Sequence, residues 1–250
     1  MYAKGQGVLQ DYAQAMKSYR KAAEQGYVKA QYNLGVMYAK GLGVPQDNAE
    51  AMSWYRKAAE QGYAAGQNGL GVMFENGQGI LQDYAEAMRW YRKAAEQGYA
   101  PAQFNLSRMY AKGQGVPLDF AEAMRWYRKA AEQGLASSQN NLGVMYADGQ
   151  GVPQNYAEAM KWYRRAAEQG LAKAQYNLGL MYYKGEGVPQ DYVPAHMWLN
   201  LAASRFSAKE GEKRKATEKI IDIVASIMTP DQIAEAQRLA WEWKPKKEVR

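Results

Sequence analysis

The amino-acid sequence predicts an all-α solenoid built from repeated pairs of helices. The first observation is a period of 36 residues, seen in close copies of the segment AEAMRWYRKAAEQG. Those copies end at Gly26, Gly62, Gly98, Gly134 and Gly170. The second observation is composition: Ala, Met, Tyr and Trp dominate the 47% of hydrophobic residues, and this favours helix packing over a sheet. The third is that glycine recurs at fixed points of the period, where helices end.

One period, residues 63–98, shows how the sequence specifies two helices. The first helix is predicted over residues 64–75 and ends at Gly77, which can take the left-handed conformation. The second is predicted over residues 84–97, with Asp83 as its N-cap and Glu86 reaching back in a capping box. Equivalent pairs are Asp47 with Glu50, Asp119 with Glu122, Asn155 with Glu158 and Asp11 with Gln14.

The second helix of each period carries the predicted packing face. Its apolar residues recur at helical spacing, as in Ala87, Trp90, Tyr91, Ala94 and Ala95. The charged residues of the same helix define the solvated face, namely Arg92, Lys93 and Glu96. The recurring tryptophans are therefore predicted to be core spacers between repeats, at positions 54, 90, 126 and 162.

Three segments are predicted along the chain. Residues 1–206 form about five and a half repeats, the first incomplete; residues 207–243 form capping helices; residues 244–250 form a charged, frayed tail. The first capping helix is predicted to bury a face made by Ala216, Ile220, Ile223, Val224 and Ile227. The second starts at Thr229 as N-cap, with Pro230 and Gln232 behind it, and ends near Trp243.

Composition and spacing argue against several classes of function. The net charge of +7 comes from Lys and Arg that recur beside Glu on one helix, which favours a mixed solvated face over a nucleic-acid footprint. The chain has no cysteine and a single histidine, His196, so neither a His-based metal cluster nor a Ser-His-Asp triad can form. The Gly-x-Gly pairs follow no strand and precede no Gly-Lys-Ser/Thr. We therefore predict no enzyme, no cofactor and no metal, and His196 as a core or interface residue.

The sequence assigns no compartment. No run of eighteen apolar residues occurs, so no membrane span is predicted. Residues 1–5 align with residues 37–41, partway through a helix, and this predicts that the chain is a fragment or that its start is placed too late. A signal segment before residue 1 would then be invisible, and both a cytoplasmic and a periplasmic or secreted location stay open.

These repeats resemble the Sel-1-like repeat family of bacteria, which is related to the tetratricopeptide repeat. The family pattern A-x-x-x-L-G-x-x-Y, G-x-G-V-x-x-D-x-x-x-A and W-Y-x-x-A-A-x-x-G is met at Ala30, Leu34, Gly35, Tyr38, Gly41, Gly43, Asp47, Ala51, Trp54, Tyr55, Ala58, Ala59 and Gly62. Residues 228–237 also resemble the C-terminal cap of bacterial members. The resemblance implies a right-handed superhelix that acts as a scaffold or adaptor, with no shared catalytic site. It departs locally at Ser18, Gly66, Ser107 and Arg108.

A binding groove is predicted on the first helices of the repeats. The first-helix positions that vary most between copies fall within an arc of about 100°, opposite the repeated Leu34 and Tyr38. The resemblance adds that tetratricopeptide relatives bind partners through this face. The predicted groove residues are Lys29, Tyr32, Val36, Asn68, Val72, Phe104, Arg108, Asn140, Val144, Lys173, Tyr176, Leu180 and Tyr183. The same variable positions also place Lys40, Glu75, Asn76, Lys112, Asp148 and Lys184 on the groove face.

Within that groove, aromatic residues and arginine are the expected anchors: Tyr32, Phe104, Arg108, Tyr176 and Tyr183. Neutral drift on a solvated face is the alternative for any one of them. The recurring amides beside the groove are predicted to bond to a neighbouring loop within the fold, in preference to a ligand backbone; they are Asn33, Asn105, Asn141 and Asn177.

The predicted function is a non-enzymatic scaffold that binds a protein or peptide partner in this groove. One alternative is a nucleic-acid-binding basic solenoid, which the charge of +7 motivates. A second is a hydrolase acting on a cell-wall or β-lactam substrate, by analogy with distant relatives that carry a cysteine pair in each repeat. This chain lacks every such cysteine. The sequence names neither the partner nor the oligomeric state.

Overall fold

The computed structural model describes residues 12–246, and within them it contains thirteen α-helices, one 3₁₀ turn and no strand. The helices are α1 (Tyr12–Glu24), α2 (Val28–Lys40), α3 (Asn48–Glu60), α4 (Ala64–Asn76), α5 (Tyr84–Glu96), α6 (Ala100–Lys112), α7 (Phe120–Glu132), α8 (Ala136–Asp148), α9 (Tyr156–Glu168), α10 (Ala172–Lys184), α11 (Tyr192–Arg205), α12 (Gly211–Ser226) and α13 (Pro230–Glu242). The 3₁₀ turn spans Ala208–Glu210. The predicted all-α solenoid is confirmed.

The chain divides into two compact units, one ending at Asp119 and the other beginning at Phe120. In the first unit each helix packs against the next, from α1 to α6. In the second unit the same holds from α7 to α11, and both α12 and α13 pack against α11. The helix pair is thus the building block in each unit. Across residues 12–246, no helix combines the length and apolarity that crossing a bilayer requires.

The helix ends largely follow the predicted rules. Gly77 ends α4 in the left-handed conformation at φ 64°. At the start of α5, Asp83 Oδ1 accepts the backbone N–H of Glu86 at 3.0 Å, and Asp47 and Asn155 cap α3 and α9 in the same way. Asp11, predicted to cap α1, lies outside the described residues.

The reciprocal half of the predicted capping boxes is wrong for α3, α5 and α9. The Glu86 carboxylate accepts a bond from Arg89 at 3.0 Å instead of reaching back to the cap. In α3 and α9 the equivalent glutamates accept bonds from Trp54 Nε1 and Lys161. A donor one turn ahead on the same helix offers a charge-assisted bond that competes with the backbone N–H. The box predicted at Thr229 and Gln232 is complete, and a further one forms at the 3₁₀ turn.

The packing face of the second helices is confirmed with one difference. Ala87, Tyr91 and Ala94 are fully buried, while the charged residues of α5 are exposed. The tryptophans at positions 54, 126 and 162 are buried, but Trp90 is only half-buried. A lysine ammonium lies over each of two indole rings, at 4.0 Å for Trp54 and 4.4 Å for Trp90. These rings therefore lie at the boundary of the core rather than at its centre.

A glycine in the loop that joins the two helices of one pair brings two backbones together. Gly115 has φ 71°, and a Cβ placed on it would lie 2.7 Å from the carbonyl carbon and oxygen of Tyr84, the first residue of α5. Gly151 approaches Phe120, the first residue of α7, in the same way. Each of these loops thus packs directly on the start of the preceding second helix, where no side chain fits between the two backbones.

A chain of buried glutamine contacts, the glutamine ladder, links successive repeats within each unit. In the first unit Gln97 donates from Nε2 to Gln67 Oε1 at 2.7 Å, and Gln67 donates to the carbonyl of Ala59 at 3.3 Å. In the second unit Gln169 donates to Gln139 Oε1 at 2.8 Å. The side-chain amide of Gln67, on the first helix α4, therefore bonds to the end of the preceding second helix, α3, and to the residue that follows the next second helix, α5. The glutamines of the ladder recur every 36 residues, but the bonds between them are not among the predicted features.

The glutamine ladder stops at Gln175. Its Nε2 donates to the Ala167 carbonyl at 3.1 Å, but its buried Oε1 has no hydrogen-bond partner. The position that carries the donating glutamine in the earlier repeats is Arg205 here. The guanidinium of Arg205 lies 4.4 Å from the Trp243 ring instead. The change in sequence at the end of the array thus leaves one acceptor unpaired.

Replacing Gln97 with Ala should lower the free energy of unfolding by about 1–2 kcal/mol. The substitution leaves the buried Gln67 Oε1 without its donor, as in Gln175, and an unpaired buried acceptor costs about 1–3 kcal/mol. Urea denaturation followed by circular dichroism measures the change. Gln78→Ala, in an exposed loop, is the matched control and should stay within about 0.5 kcal/mol. Equal effects of the two substitutions would contradict the role of the ladder.

The buried face of the first capping helix differs from the predicted one. Val224 is fully buried and Ile220 packs with it, but Ala216 is exposed, and Ile223 and Ile227 are 52% and 51% exposed. The helix buries the adjacent stripe formed by Thr217, Ile221, Val224 and Met228. Thr217 can be buried because its hydroxyl donates to the Lys213 carbonyl at 2.7 Å. The sequence of α12 offers two adjacent apolar stripes. The bond from the Thr217 hydroxyl to the Lys213 carbonyl favours burial of the stripe that contains Thr217.

The C-terminal tail is not frayed as far as the described residues extend. The ring of Trp243 lies edge-on to Trp198 at 6.1 Å. Lys246 donates its backbone N–H to the Glu168 carbonyl at 2.8 Å, and its ammonium lies 3.2 Å from the Glu168 carboxylate. The prediction of a frayed tail is therefore wrong for residues 244–246, because the backbone and the side chain of Lys246 both bond to Glu168, the last residue of α9. Residues 247–250 lie outside the described part of the chain.

Candidate functional site

In the first unit, the predicted groove residues lie on α2, α4 and α6. Tyr32 is half-buried, with its ring 5.8 Å from Tyr55 and 5.6 Å from Tyr63. Burial, and then the nearby Tyr63 hydroxyl, raise the pKa of Tyr32 above its ordinary value. Its hydroxyl therefore remains a neutral hydrogen-bonding group. The other predicted groove residues here are half-buried, except the exposed Lys29: Val36, Asn68, Val72, Phe104 and Arg108.

A polar network fixes Arg108 at this surface. Arg108 Nη2 lies 2.6 Å from Glu75 Oε1, and the Tyr91 hydroxyl donates to Glu75 Oε2 at 2.7 Å. The guanidinium carbon also lies 6.0 Å from the centre of the Phe104 ring. Burial and the hydrogen bond to Glu75 raise the pKa of Tyr91, so its hydroxyl stays a donor. Glu75 is among the residues predicted on the groove face, whereas Tyr91 is predicted only to pack, and the sequence does not indicate that both orient Arg108.

Three of the four recurring amides, Asn105, Asn141 and Asn177, bond within the fold, as predicted, but not to loops. Asn105 donates to Asn68 Oδ1 at 3.0 Å in the first unit. In the second unit Asn177 donates to Asn140 Oδ1 at 3.1 Å, and Asn141 donates to the Tyr127 hydroxyl at 2.9 Å. Their partners are side chains on neighbouring helices. The amides thus connect helices to one another and still present polar atoms at the surface.

In the second unit, three predicted groove residues line one cavity of about 360 Å³: Asn140, Lys173 and Tyr176. Its other lining residues are Asn177, Phe206, Lys213, Ala216 and Thr217. The walls therefore come from α8, from α10, from the residue after α11 and from the capping helix α12. The sequence predicts only that α12 covers the last repeat, and it does not indicate that α12 also lines a cavity.

The remaining predicted groove residues of the second unit are not in that lining. Val144 and Leu180 are half-buried on α8 and α10. Tyr183 packs against Tyr192 with ring centres 6.3 Å apart. The structure thus groups Tyr176, but not Tyr183, with the cavity.

The cavity combines apolar walls, an amide pair and a basic rim. The rings of Tyr176 and Phe206 lie 6.5 Å apart in an edge-on arrangement, and the amides of Asn140 and Asn177 bond to each other. The ammonium groups of Lys173 and Lys213 lie 3.7 and 3.9 Å from one oxygen of Glu210. A hydrogen bond from the Ser207 hydroxyl, and then the two lysines, lower the pKa of Glu210 and keep it charged. Such a set of groups suits a ligand with both an apolar part and an anionic part.

The outer faces of the second helices carry shallower, basic depressions. Met160, Lys161, Arg164, Arg165 and Glu168 contribute to one of about 430 Å³ in the second unit. Several of the cations on these faces are held within the fold: Arg164 donates to the Tyr182 hydroxyl at 2.6 Å, Arg92 to the Tyr110 hydroxyl at 2.7 Å, and Arg89 pairs with Glu86. The Glu86 carboxylate offsets the charge of Arg89, whereas the tyrosine hydroxyls hold Arg164 and Arg92 in place without an offsetting charge.

His196 is a buried residue of α11, as predicted. Asn200 Nδ2 lies 3.0 Å from its Nδ1, and burial lowers the pKa of the imidazole, which favours the neutral form. Within residues 12–246, no three His, Cys, Asp or Glu side chains are grouped so that they could hold a metal ion.

Comparison with known proteins agrees with the repeats and the all-α fold described above. The model of the Sel1 repeat matches residues 1–27, 28–63, 64–99, 100–135, 136–171 and 172–205. The chain is similar to the crystal structure of a Sel1 repeat protein from Oxalobacter formigenes, with 33% identity and a TM-score of 0.74 over 92% of this chain and 93% of that one. No curated protein matches.

A second solved structure has a lower sequence identity to this chain, and the similarity concerns the fold only. The immunity protein Pa5087 of Pseudomonas aeruginosa is 22% identical, with a TM-score of 0.54 over 79% of this chain and 75% of that one. Its helical repeat architecture thus extends to sequences that share few side chains with this chain.

Proposed function

Because the chain belongs to the Sel1 repeat family, whose repeats commonly serve as protein-interaction scaffolds, we propose that it binds a protein or peptide partner without catalysis. The partner lies along the first helices of the repeats. The observation that carries this proposal is the cavity of the second unit, where Asn140, Lys173 and Tyr176 meet. Those residues vary between repeats, whereas the packing residues of α3, α5, α7 and α9 do not.

The chemistry of the first-helix surface supports a protein ligand. It offers half-buried aromatic rings at Tyr32, Phe104 and Tyr176, and an arginine held in place by an ion pair. Aromatic residues and arginine are enriched at the centre of protein interfaces and among the few residues that carry most of the binding energy. The neighbouring amides supply donors and acceptors for a peptide backbone.

Affinity capture with the purified chain, from cells that naturally produce it, tests the proposal. Phe104→Ala and Tyr176→Ala should each weaken binding of the captured partner at least tenfold, as expected for interface anchors. Lys161→Ala, on the exposed face of α9, is the matched control and should bind like the parent. Unchanged binding by both groove variants would contradict the assignment of the partner to this surface.

The nucleic-acid alternative makes a different prediction in the same preparation. A basic solenoid that neutralises phosphates should bind a labelled DNA or RNA oligonucleotide at low salt and lose affinity steeply as salt increases. The net charge of +7 is the observation behind that alternative. Absence of oligonucleotide binding at low salt would remove it.

A further inference from the structure

We propose that the cavity between α10 and α12 binds the C-terminal residue of a partner protein. The free carboxylate of that residue lies between Lys173 and Lys213, and its apolar side chain lies against Tyr176 and Phe206. This inference rests on the proposed scaffold function and specifies the partner chemistry at one of its surfaces. It also makes the capping helix part of the binding site.

The rim of the cavity has more positive than negative charge. Lys173 comes from α10 and Lys213 from α12, and both ammonium groups approach the same oxygen of Glu210, at 3.7 and 3.9 Å. A single carboxylate thus faces two cations, at distances longer than the roughly 2.8 Å of a strong charge-assisted bond. The lysine side chains are 54% and 57% exposed, so they can move toward a ligand. The rim therefore suits one additional carboxylate.

The walls below the rim are apolar. Phe206 and Thr217 are buried, and Tyr176 is half-buried beside Phe206. Thr217 donates its hydroxyl to the Lys213 carbonyl, so the hydrogen-bonding need of this wall residue is met within α12. The volume of about 360 Å³ lies at the lower end of the range for small-ligand pockets. It therefore suits one or two side chains and not a long segment.

An amide pair supplies the contacts that a peptide backbone needs. Asn177 uses Nδ2 to donate to Asn140 Oδ1. In the part of the chain that the structure describes, Asn177 Oδ1 receives no hydrogen bond and can accept a backbone N–H of the ligand. The amide pair thus adds a polar contact beside the apolar walls.

A C-terminal residue fits these groups better than an internal acidic residue. It carries its carboxylate and its side chain on the same Cα, so one residue can reach the lysines and the aromatic wall together. An internal Asp or Glu supplies the anion alone, and a second residue would have to fill the small cavity. The size of the cavity therefore favours a chain terminus with an apolar last residue.

Fluorescence anisotropy with the full chain tests the proposal. The probes are fluorescein-labelled hexapeptides that differ only in the last residue, each made with a free carboxylate and with a C-terminal amide. Peptides that end in Leu or Phe as free acids should bind at least tenfold more tightly than their amides. Lys173→Ala and Lys213→Ala should each remove most of that difference, whereas Lys161→Ala should leave it unchanged.

Glu210→Gln gives a test that loss of folding cannot imitate. Removing the negative charge of Glu210, which lies near both lysines, should tighten binding of the free-acid peptides several-fold. The affinity of the amidated peptides should not change. Equal affinity of acids and amides, or no binding by any free-acid peptide, would overturn the proposal. Preferential binding of amidated peptides with an internal Asp or Glu would also overturn it, in favour of an acidic segment.

Failure of this inference can be told apart from failure of the scaffold function. If a captured partner still depends on Phe104 but not on its own last residue, the groove stands and the terminus site is wrong. If no partner depends on any groove residue, the scaffold assignment itself is wrong.

Discussion

Replacing Arg108 with Val should lower the free energy of unfolding by about 3 kcal/mol. The Glu75 side chain is only 10% exposed and Arg108 provides its ion pair at 2.6 Å, so the substitution leaves a largely buried carboxylate without a cation. Removal of one partner of a buried pair costs about 3–5 kcal/mol, and the 29% exposure of Arg108 moves the expected value toward the lower end. Urea denaturation followed by circular dichroism measures it.

The sequence itself supplies the compensating variant for this pair. In the neighbouring repeats, the position of Glu75 is Ala39 or Ala111, and the position of Arg108 is Val36 or Val72. The double variant Glu75→Ala with Arg108→Val should therefore recover part of the lost stability, because no buried charge remains. Recovery is incomplete because the buried Tyr91 hydroxyl loses its acceptor, Glu75 Oε2. Arg89→Val, at an exposed pair, serves as the control and should change stability by less than about 1 kcal/mol. Additive losses in the double variant would contradict this explanation.

Gly115→Ala should lower the free energy of unfolding by about 3 kcal/mol or more. Positive φ alone costs an L-residue about 1–2 kcal/mol. The new Cβ would also meet backbone atoms of Tyr84 at 2.7 Å, and overpacking adds about 1–3 kcal/mol. Those backbone atoms belong to the start of α5 and cannot rotate away as a side chain can.

Gly98→Ala separates the two contributions to that loss. Gly98 has φ 84°, but a Cβ placed there meets nothing within 4 Å. Its loss should therefore be about 1–2 kcal/mol, from conformation alone. Thermal or urea unfolding of the two variants gives the comparison. A similar loss at both positions would show that the close approach between the loop and α5 does not constrain the fold.

The helix pairs were predictable because the same residues mark the start and end of the helices in each 36-residue repeat. Signals that are weak in one copy, such as Asp83 before a helix or Gly77 after one, become strong when the same residue type recurs every 36 residues. Where a feature occurs once, the prediction was less successful. The buried stripe of α12 depended on a single bond from the Thr217 hydroxyl, and the position of Lys246 depended on its contact with Glu168. Neither contact has a sequence pattern.

The candidate site could be predicted only in part for a related reason. Variation between repeats identified the face that holds Lys173 and Tyr176, because helical geometry fixes which positions share a face. It could not identify Lys213 or Thr217 as neighbours, since these residues lie outside the repeat and have no equivalent copies to compare, and Phe206 occupies a position that is glycine in the earlier repeats. The role of Tyr91, which bonds to the Glu75 carboxylate that pairs with Arg108, was hidden for the opposite reason: Tyr91 occurs in a well-repeated position and was assigned to packing alone.

The glutamine ladder bears on how the length of such a gene can change. Each link joins residues 30 positions apart in adjacent repeats, as Gln97 joins Gln67, so the bond does not depend on how many repeats come before or after it. Duplication or loss of one 36-residue cassette upstream of Gln175 preserves the donor and acceptor of every remaining link. At Gln175 this freedom ends, because the unpaired Oε1 marks the junction with a terminus of different sequence. Changes in copy number therefore preserve the glutamine ladder inside the array and interrupt it at its final boundary.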